Sequence, residues 1–419
     1  MDIFKVRGQR KIQGEIVLQG AKNSALPILA ACAAVKGECI IHNCPKLSDV
    51  DAAIEILKHL GCRIDRYDNT ICVNSLNISR CDIPQNLMHK MRSSIIFLGP
   101  LLSRCKKASI YAPGGCEIGM RPIDLHLTAM QKLGSEIKEE HGIINFECTC
   151  LRGSKIVLSF PSVGATENII IAAAAAEGTT QIINAAREPE IKDLICFLNS
   201  CGAKIKDLGE GEIVIEGTDN LHGTEHTVIP DRITASAFMA AAGITGGEIS
   251  IKSVVPMHLF PVITCFEEAG CKISCGRDSL YLNAPERLNR VKTIRTMPYP
   301  GFPTDSQAII MAMLSTAKGT SMIVENIFEN RFRHVAELKK LGAKISVEGK
   351  VAVVEGTKAL KGARVASHDL RGGGALVTAA LAAQGETIIE NVSLIDRGWQ
   401  NIEKDLRSLG ADIERQKDT

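Results

Sequence analysis

The chain repeats itself. A Leu-Gly signature, Leu60-Gly61-Cys62, returns in variant form as Leu133-Gly134-Ser135, Cys201-Gly202-Ala203, Ala269-Gly270-Cys271, Leu341-Gly342-Ala343 and Leu409-Gly410-Ala411. The six glycines stand 73, 68, 68, 72 and 68 residues apart. Solenoid units run to roughly 20–45 residues, so a longer unit must hold a small sheet of its own. In the fourth unit, ITASAFMAAAGITGGEISIKSV reads as an Ala-rich helix stopped at Gly246-Gly247, then a β-branched strand over 248–254. MHLFPVITCFEEAGCKISC reads as a second helix, the signature glycine, and a strand over 271–275, and a hairpin-like pair closes the unit. The order is βαβαββ. The signature glycine belongs in a left-handed cap after the second helix. Three such units can share one buried helical core. The expected fold is therefore α/β, with two domains of three βαβαββ repeats each. The division falls near residues 220–231, giving one domain over 21–229 and another from 1–20 plus 230–419. Residues 1–20 read as a strand pair that joins the C-terminal half. The site is expected in the cleft between the domains, where small molecules usually bind.

Composition narrows the function classes. Of 419 residues, 45% are hydrophobic and 23% charged, which excludes a mainly disordered chain. Lys and Arg number 49 against 47 Asp and Glu, and aromatics are 4%, so no nucleic-acid partner is expected. The apolar run 169–176 is far short of the ~20 residues that span a bilayer. MDIFKVRGQRK has no apolar h-region, so no signal peptide, no membrane partner and a cytoplasmic location are expected. There are 15 cysteines, without CxxC or HExxH, and the pairs Cys148/Cys150 and Cys271/Cys275 have no accompanying histidine pair. No disulfide framework and no metal are expected, and most cysteines read as small buried apolar groups. GGCEIG and RGGG fit neither a P-loop nor a dinucleotide fingerprint.

Equivalent positions of the repeats carry the chemistry. Counting back from each signature glycine to the start of the first helix reaches Lys22, Arg92, Ala165, Arg232, Asp305 and Arg371. A cation at a helix N-terminus opposes the dipole, so four in register imply an offsetting anionic ligand. Arg121, Arg187, Arg331 and Arg397 occupy the loop before the second helix. Two rings of arginine predict a substrate with phosphates and a carboxylate. Asp305, in PGFPTDSQ, is the acid among cations. It reads either as a helix cap, a role open to Thr304 too, or as a general base that needs a dry site to act on an alcohol. Cys116, in YAPGGCEIGMRPIDLHL, reads either as an incidental exposed thiol or as a reactive group on a glycine-rich lid beside Arg121.

The motifs LQGAKNSALPILAA, MRSSIIFLGPLLSR, PGGCEIGMRPIDLH, FPSVGATENI, NAAREPEI, FPTDSQ, ENIFENRFRHVAELKKLGA, HDLRGGG and IDRGW occur in this order. Together they make the whole chain resemble the bacterial UDP-N-acetylglucosamine enolpyruvyl transferases. The resemblance implies two inverse α/β barrels. It also implies transfer of the enolpyruvyl group of phosphoenolpyruvate to the 3′-hydroxyl of UDP-N-acetylglucosamine, with release of phosphate. No cofactor is implied, and a monomer is expected. By motif, Lys22 and Asn23 meet phosphoenolpyruvate, and Arg121 and Arg397 hold its phosphate and carboxylate with Arg371 nearby. Arg92, Arg121, Pro122, Ile123, Asp124, Leu125, Ser162, Val163, Gly164, Asp305 and Ile327 match sugar-nucleotide contacts, and Arg331 and Asp369 further substrate contacts. Asp305 is the implied base for the 3′-hydroxyl. Cys116 is the implied acid toward C3 of phosphoenolpyruvate and the target of fosfomycin. Two positions depart from the family. Gly372-Gly373-Gly374 stand where Ala or Ser is common, which predicts a more mobile loop around Arg371, and Thr234 stands where Glu is common. The alternatives are a transferase acting on shikimate phosphate, a catalytically silent binder of UDP-sugar, and a nucleic-acid enzyme built from related repeats.

Overall fold

The structure, a computed structural model, describes residues 2–111 and 123–418. Contacts divide them into two compact units. The middle unit holds residues 20–111 and 123–229, and the terminal unit holds 2–19 and 230–418. Each has its own hydrophobic core, one built from residues of 21–228 and the other from Phe4 to Leu18 and residues beyond 234.

Each unit is three βαβαββ repeats arranged with sheets outside and first helices inside. In the terminal unit the first helices are Arg232–Thr245, Thr304–Leu314 and Leu370–Ala382, and all three pack on one another. Of the 14 residues of Arg232–Thr245, 13 are buried. A helix apolar on every side has to lie inside a core, and alanine-rich faces let neighbouring helices approach closely. The middle unit centres likewise on Lys22–Cys32, Leu98–Cys105 and Val163–Ala173. The second helices, such as Ser48–Leu60 and Pro189–Ser200, bury one face only.

Among the described residues, six four-stranded sheets follow one plan. Thr179–Ile183 pairs in parallel with Lys155–Val157 and antiparallel with Glu212–Glu216, which pairs antiparallel with Lys204–Gly209. In four of these sheets the parallel strand is the one just before the first helix of the same repeat, as Lys155–Val157 leads through Val163–Ala173 to Thr179–Ile183. The middle unit closes on itself, because Glu225–Thr227 from its third repeat pairs with Glu38–His42 of its first. The terminal unit closes through the start of the chain. Gln13–Val17 pairs with Glu248–Lys252, and Asp2–Arg7 lies between Glu386–Glu390 and Asp412–Lys417. Residues 1–20 therefore do not form the strand pair expected of them: their two strands enter different sheets.

All six signature glycines, Gly61, Gly134, Gly202, Gly270, Gly342 and Gly410, are left-handed, with φ between 89° and 103°. A side chain is strained there, which is why the repeat is most visible at this residue. Among the described residues no helix is long and apolar enough to cross a membrane.

Candidate active site

Asp305 is the second residue of the helix Thr304–Leu314. The cap position belongs to Pro303, and among the described residues no side chain caps this helix, so neither Asp305 nor Thr304 takes the capping role open to it in the sequence. The carboxylate instead meets two arginines. Arg331 Nη2 donates to Oδ1 at 2.8 Å and Arg371 Nη2 donates to Oδ2 at 2.7 Å. Both guanidinium groups are buried, at 3% and 7% side-chain exposure, while Asp305 keeps 26%. The carboxylate is thus held from the protein side with part of its surface left open. Such an acid has a fixed direction and is stabilised in its charged form by both neighbours.

The neighbours are themselves fixed. Arg371 follows Leu370 at the head of its helix, and Asp369 Oδ1 caps that helix by accepting from the N–H of Arg371 at 2.9 Å and of Gly372 at 3.0 Å. The Arg371 guanidinium lies 5.6 Å from the Trp399 ring centre, and that of Arg331 lies 5.5 Å from the Phe328 ring. Such stacking is favourable for a planar cation. Asp231 repeats the device before Arg232, accepting from the N–H of Ile233 and Thr234. The local cost of a cation at these two helix starts is therefore offset within the chain by a capping aspartate.

Gly372, Gly373 and Gly374 are not a loop. They lie buried in the first turns of the Leu370–Ala382 helix. A Cβ on Gly373 would stand 2.5 Å from Ile395 Cγ1, and one on Gly374 would stand 2.4 Å from Trp399 Cη2. The missing side chains of Gly373 and Gly374 make room for Ile395 and Trp399, and no looseness follows.

Ile327 is placed by a residue the sequence does not single out. Glu325 is 2% exposed, and its Oε1 accepts from the Ile327 N–H at 2.8 Å, the Phe328 N–H at 3.2 Å and Thr296 Oγ1 at 2.8 Å. Its Oε2 accepts from Thr304 Oγ1 at 2.9 Å, which ties the Ile327 turn to the helix of Asp305. Arg397 is half-buried in the turn beyond Val392–Leu394. Gln19 clamps that turn, donating to Gly398 O at 3.0 Å and accepting from Gln400 N at 2.9 Å.

In the middle unit, Lys22 opens its helix and is buried, with Asn23 half-buried beside it. Lys22 Nζ donates to Asp49 Oδ2 at 2.7 Å, and both side chains are nearly inaccessible, at 11% and 5%. Arg92 starts the short 3₁₀ helix Arg92–Phe97. Ile123 occupies the cap of Asp124–Lys132, with Asp124 exposed and Leu125 half-buried. Ser162 caps Val163–Ala173 through Oγ, which accepts from Ala165 N at 3.4 Å, and Val163 and Gly164 are the first two residues of that helix. Beneath Gly164 lies His126, whose burial pushes its pKa down to about 4. Arg187 is exposed ahead of the Pro189 helix. Cys116, Arg121 and Pro122 lie outside the described residues.

The structure brings Asp305, Arg331, Arg371 and Asp369 together and ties Ile327 to them. Lys22, Asn23, Arg92 and the Ser162–Gly164 turn belong to the other unit. Sequence reasoning missed Asp49, Glu325 and Gln19, which hold predicted site residues in place. An acid in a first turn resembles any residue that complements a helix dipole, so Asp49 carried no separate signal.

Comparison with known proteins follows this geometry. Residues 6–406 match the family model described as EPSP synthase (3-phosphoshikimate 1-carboxyvinyltransferase). The chain is 50% identical over 415 residues to UDP-N-acetylglucosamine 1-carboxyvinyltransferase 2 of Caldanaerobacter subterraneus subsp. tengcongensis, covering 99% of this chain and 100% of that one. It is 46% identical over 420 residues to the protein of the same name in Carboxydothermus hydrogenoformans, covering 100% of each. Among solved structures, the enolpyruvyl transferase NikO from Streptomyces tendae superposes with a TM-score of 0.90 at 25% identity, over 99% of this chain and 98% of that one. EPSP synthase from Acinetobacter baumannii shares the fold alone, with a TM-score of 0.78 at 18% identity over 100% of each chain.

Proposed function

The chain belongs to the EPSP synthase family of enolpyruvyl transferases, and on that premise we propose that it moves the enolpyruvyl group of phosphoenolpyruvate to the 3′-hydroxyl of UDP-N-acetylglucosamine. Phosphate is released, and the product is the first committed precursor of peptidoglycan. The reaction takes place in the cytoplasm. The reading is carried by full-length likeness to transferases of that name.

The chemistry is addition followed by elimination. A proton goes to C3 of phosphoenolpyruvate, which leaves an oxocarbenium-like centre at C2. The sugar 3′-hydroxyl attacks C2 and loses its proton, giving a tetrahedral ketal. Phosphate then leaves C2 as a proton leaves C3, and the vinyl ether remains. Cys116 supplies the first proton. Asp305 accepts the hydroxyl proton, and the clamp of Arg331 and Arg371 fixes the direction from which it does so. A carboxylate stabilised by two guanidinium groups is a weak base in water, so its first duty is to orient the hydroxyl. Lys22, Arg121 and Arg397 bind the anionic substrate and the departing phosphate, with Asp49 holding the Lys22 ammonium in place. Arg92, Ile123, Asp124, Leu125, Ser162, Val163, Gly164 and Ile327 contact the sugar nucleotide.

The description of the matched family favours one alternative acceptor, shikimate 3-phosphate. One assay separates the two. Phosphate release is expected when phosphoenolpyruvate and UDP-N-acetylglucosamine are present together, and not with either alone. Release with shikimate 3-phosphate instead, or with neither acceptor, overturns the assignment.

A further inference from the structure

Asn168 is fully buried on the Val163–Ala173 helix, and its orientation is dictated by backbone groups with only one role each. Its Oδ1 accepts from the Gly99 N–H at 2.7 Å, and its Nδ2 donates to the Ile95 carbonyl at 2.8 Å. The second hydrogen of Nδ2 then points at His126 Nδ1, 2.8 Å away. Nδ1 must accept, so the one proton of a neutral imidazole sits on Nε2. Burial keeps the ring neutral, as its low pKa of about 4 records. His126 is only 6% exposed, yet Nε2 has no hydrogen-bond partner among the described residues.

That donor faces a helix start. A Cβ on Gly164 would lie 3.3 Å from His126 Cε1 and 3.5 Å from Nε2. The helix has 11 residues, and Ser162 already serves Ala165 N through Oγ and Thr166 N through its carbonyl. The N–H groups of Val163 and Gly164 donate to nothing among the described residues. Two uncommitted amides at a helix N-terminus, with a third donor fixed beside them, form a cradle for oxyanions.

We propose that His126, locked by Asn168 as the Nε2–H tautomer, donates to the diphosphate of the sugar nucleotide beside the Val163 and Gly164 amides. The assignment rests on the proposed substrate. His126 is a binding residue and Asn168 a positioning residue. Gly164 lacks a side chain because the imidazole needs the space.

The test compares UDP with uridine as ligands for the full-length chain, using calorimetry. For His126→Leu, UDP affinity is expected to fall about tenfold, in the range of one lost hydrogen bond, while uridine affinity and the KM for phosphoenolpyruvate stay within twofold. His126→Gln, whose amide nitrogen reaches toward the Nε2 position, is expected to restore most of the loss. Unchanged UDP affinity in His126→Leu, or a parallel fall for uridine, overturns the proposal. Imidazole ¹⁵N spectra of the unmodified chain provide a second measurement that does not depend on a variant folding. An Nδ1–H tautomer there overturns the proposal as well. Failure of the proposed function is read separately: the unmodified chain would then release no phosphate, whether or not UDP binding depends on His126.

Discussion

At the scale of single residues, the charge of a side chain matters less than what holds it. Asp305 was legible in the sequence because it breaks a row of cations. Its partners were only partly so. Arg371 stands in the same row and Arg331 in the loop ring, but nothing in their spacing says that both reach one carboxylate. Asp305→Asn keeps the size of the side chain and removes the proton acceptor. It is expected to lower kcat by roughly 10²–10⁴-fold, the usual contribution of an acid–base group, with KM for UDP-N-acetylglucosamine within about threefold. Steady-state kinetics with both substrates varied checks this, and an unchanged kcat would reduce Asp305 to a binding contact. Asp49 and His126 were not legible. One looks like a dipole-complementing acid and the other like a core histidine, and only their partners, Lys22 and Asn168, reveal their use.

At the scale of helices, the strongest local rule and the tertiary structure give opposite answers. Glycine inside a helix costs about 1 kcal/mol relative to alanine, so three in a row read as a loop. The Leu370–Ala382 helix accepts Gly373 and Gly374 because Ile395 and Trp399, some two dozen residues later, occupy the volume of the absent side chains. A sequence window that covers only the helix contains no sign of that turn. Gly374→Ala decides which effect wins. Helix propensity alone predicts a gain of about 1 kcal/mol, whereas overpacking against a ring atom 2.4 Å from the new Cβ costs about 1–3 kcal/mol. A net loss is expected, read as a lower thermal midpoint. Trp399 would also move from the Arg371 guanidinium, so the KM values should rise with it. By contrast, the caps at Gly61 and its five equivalents were fully legible, because a left-handed residue admits few substitutes and the constraint recurs in every repeat.

At the scale of the whole molecule, the period of about 70 residues foretold six sheets, but not which strand would complete the last one. The sixth repeat has Asp412–Lys417 and lacks the second strand of its hairpin, and Asp2–Arg7 takes that place. The three described sheets and the core of the middle unit are drawn from residues 20–229. A fragment of residues 20–229 is therefore expected to fold alone with a cooperative thermal transition. A fragment of residues 230–419 is expected to stay unfolded until residues 1–19 are joined to it, for instance after residue 419 through a flexible linker. Circular dichroism of the three fragments checks this, and independent folding of 230–419 would show that the borrowed strands are dispensable.

The same borrowed strand sets an order of events on the ribosome. Asp2–Arg7 leaves the exit tunnel well before its partner Asp412–Lys417 is made, and synthesis of the chain between them takes roughly 20–80 s at ordinary elongation rates. During that interval the middle repeats can mature while the leading segment waits without a mate. Until Asp412–Lys417 is made it is an exposed strand edge, open to pairing with neighbouring chains.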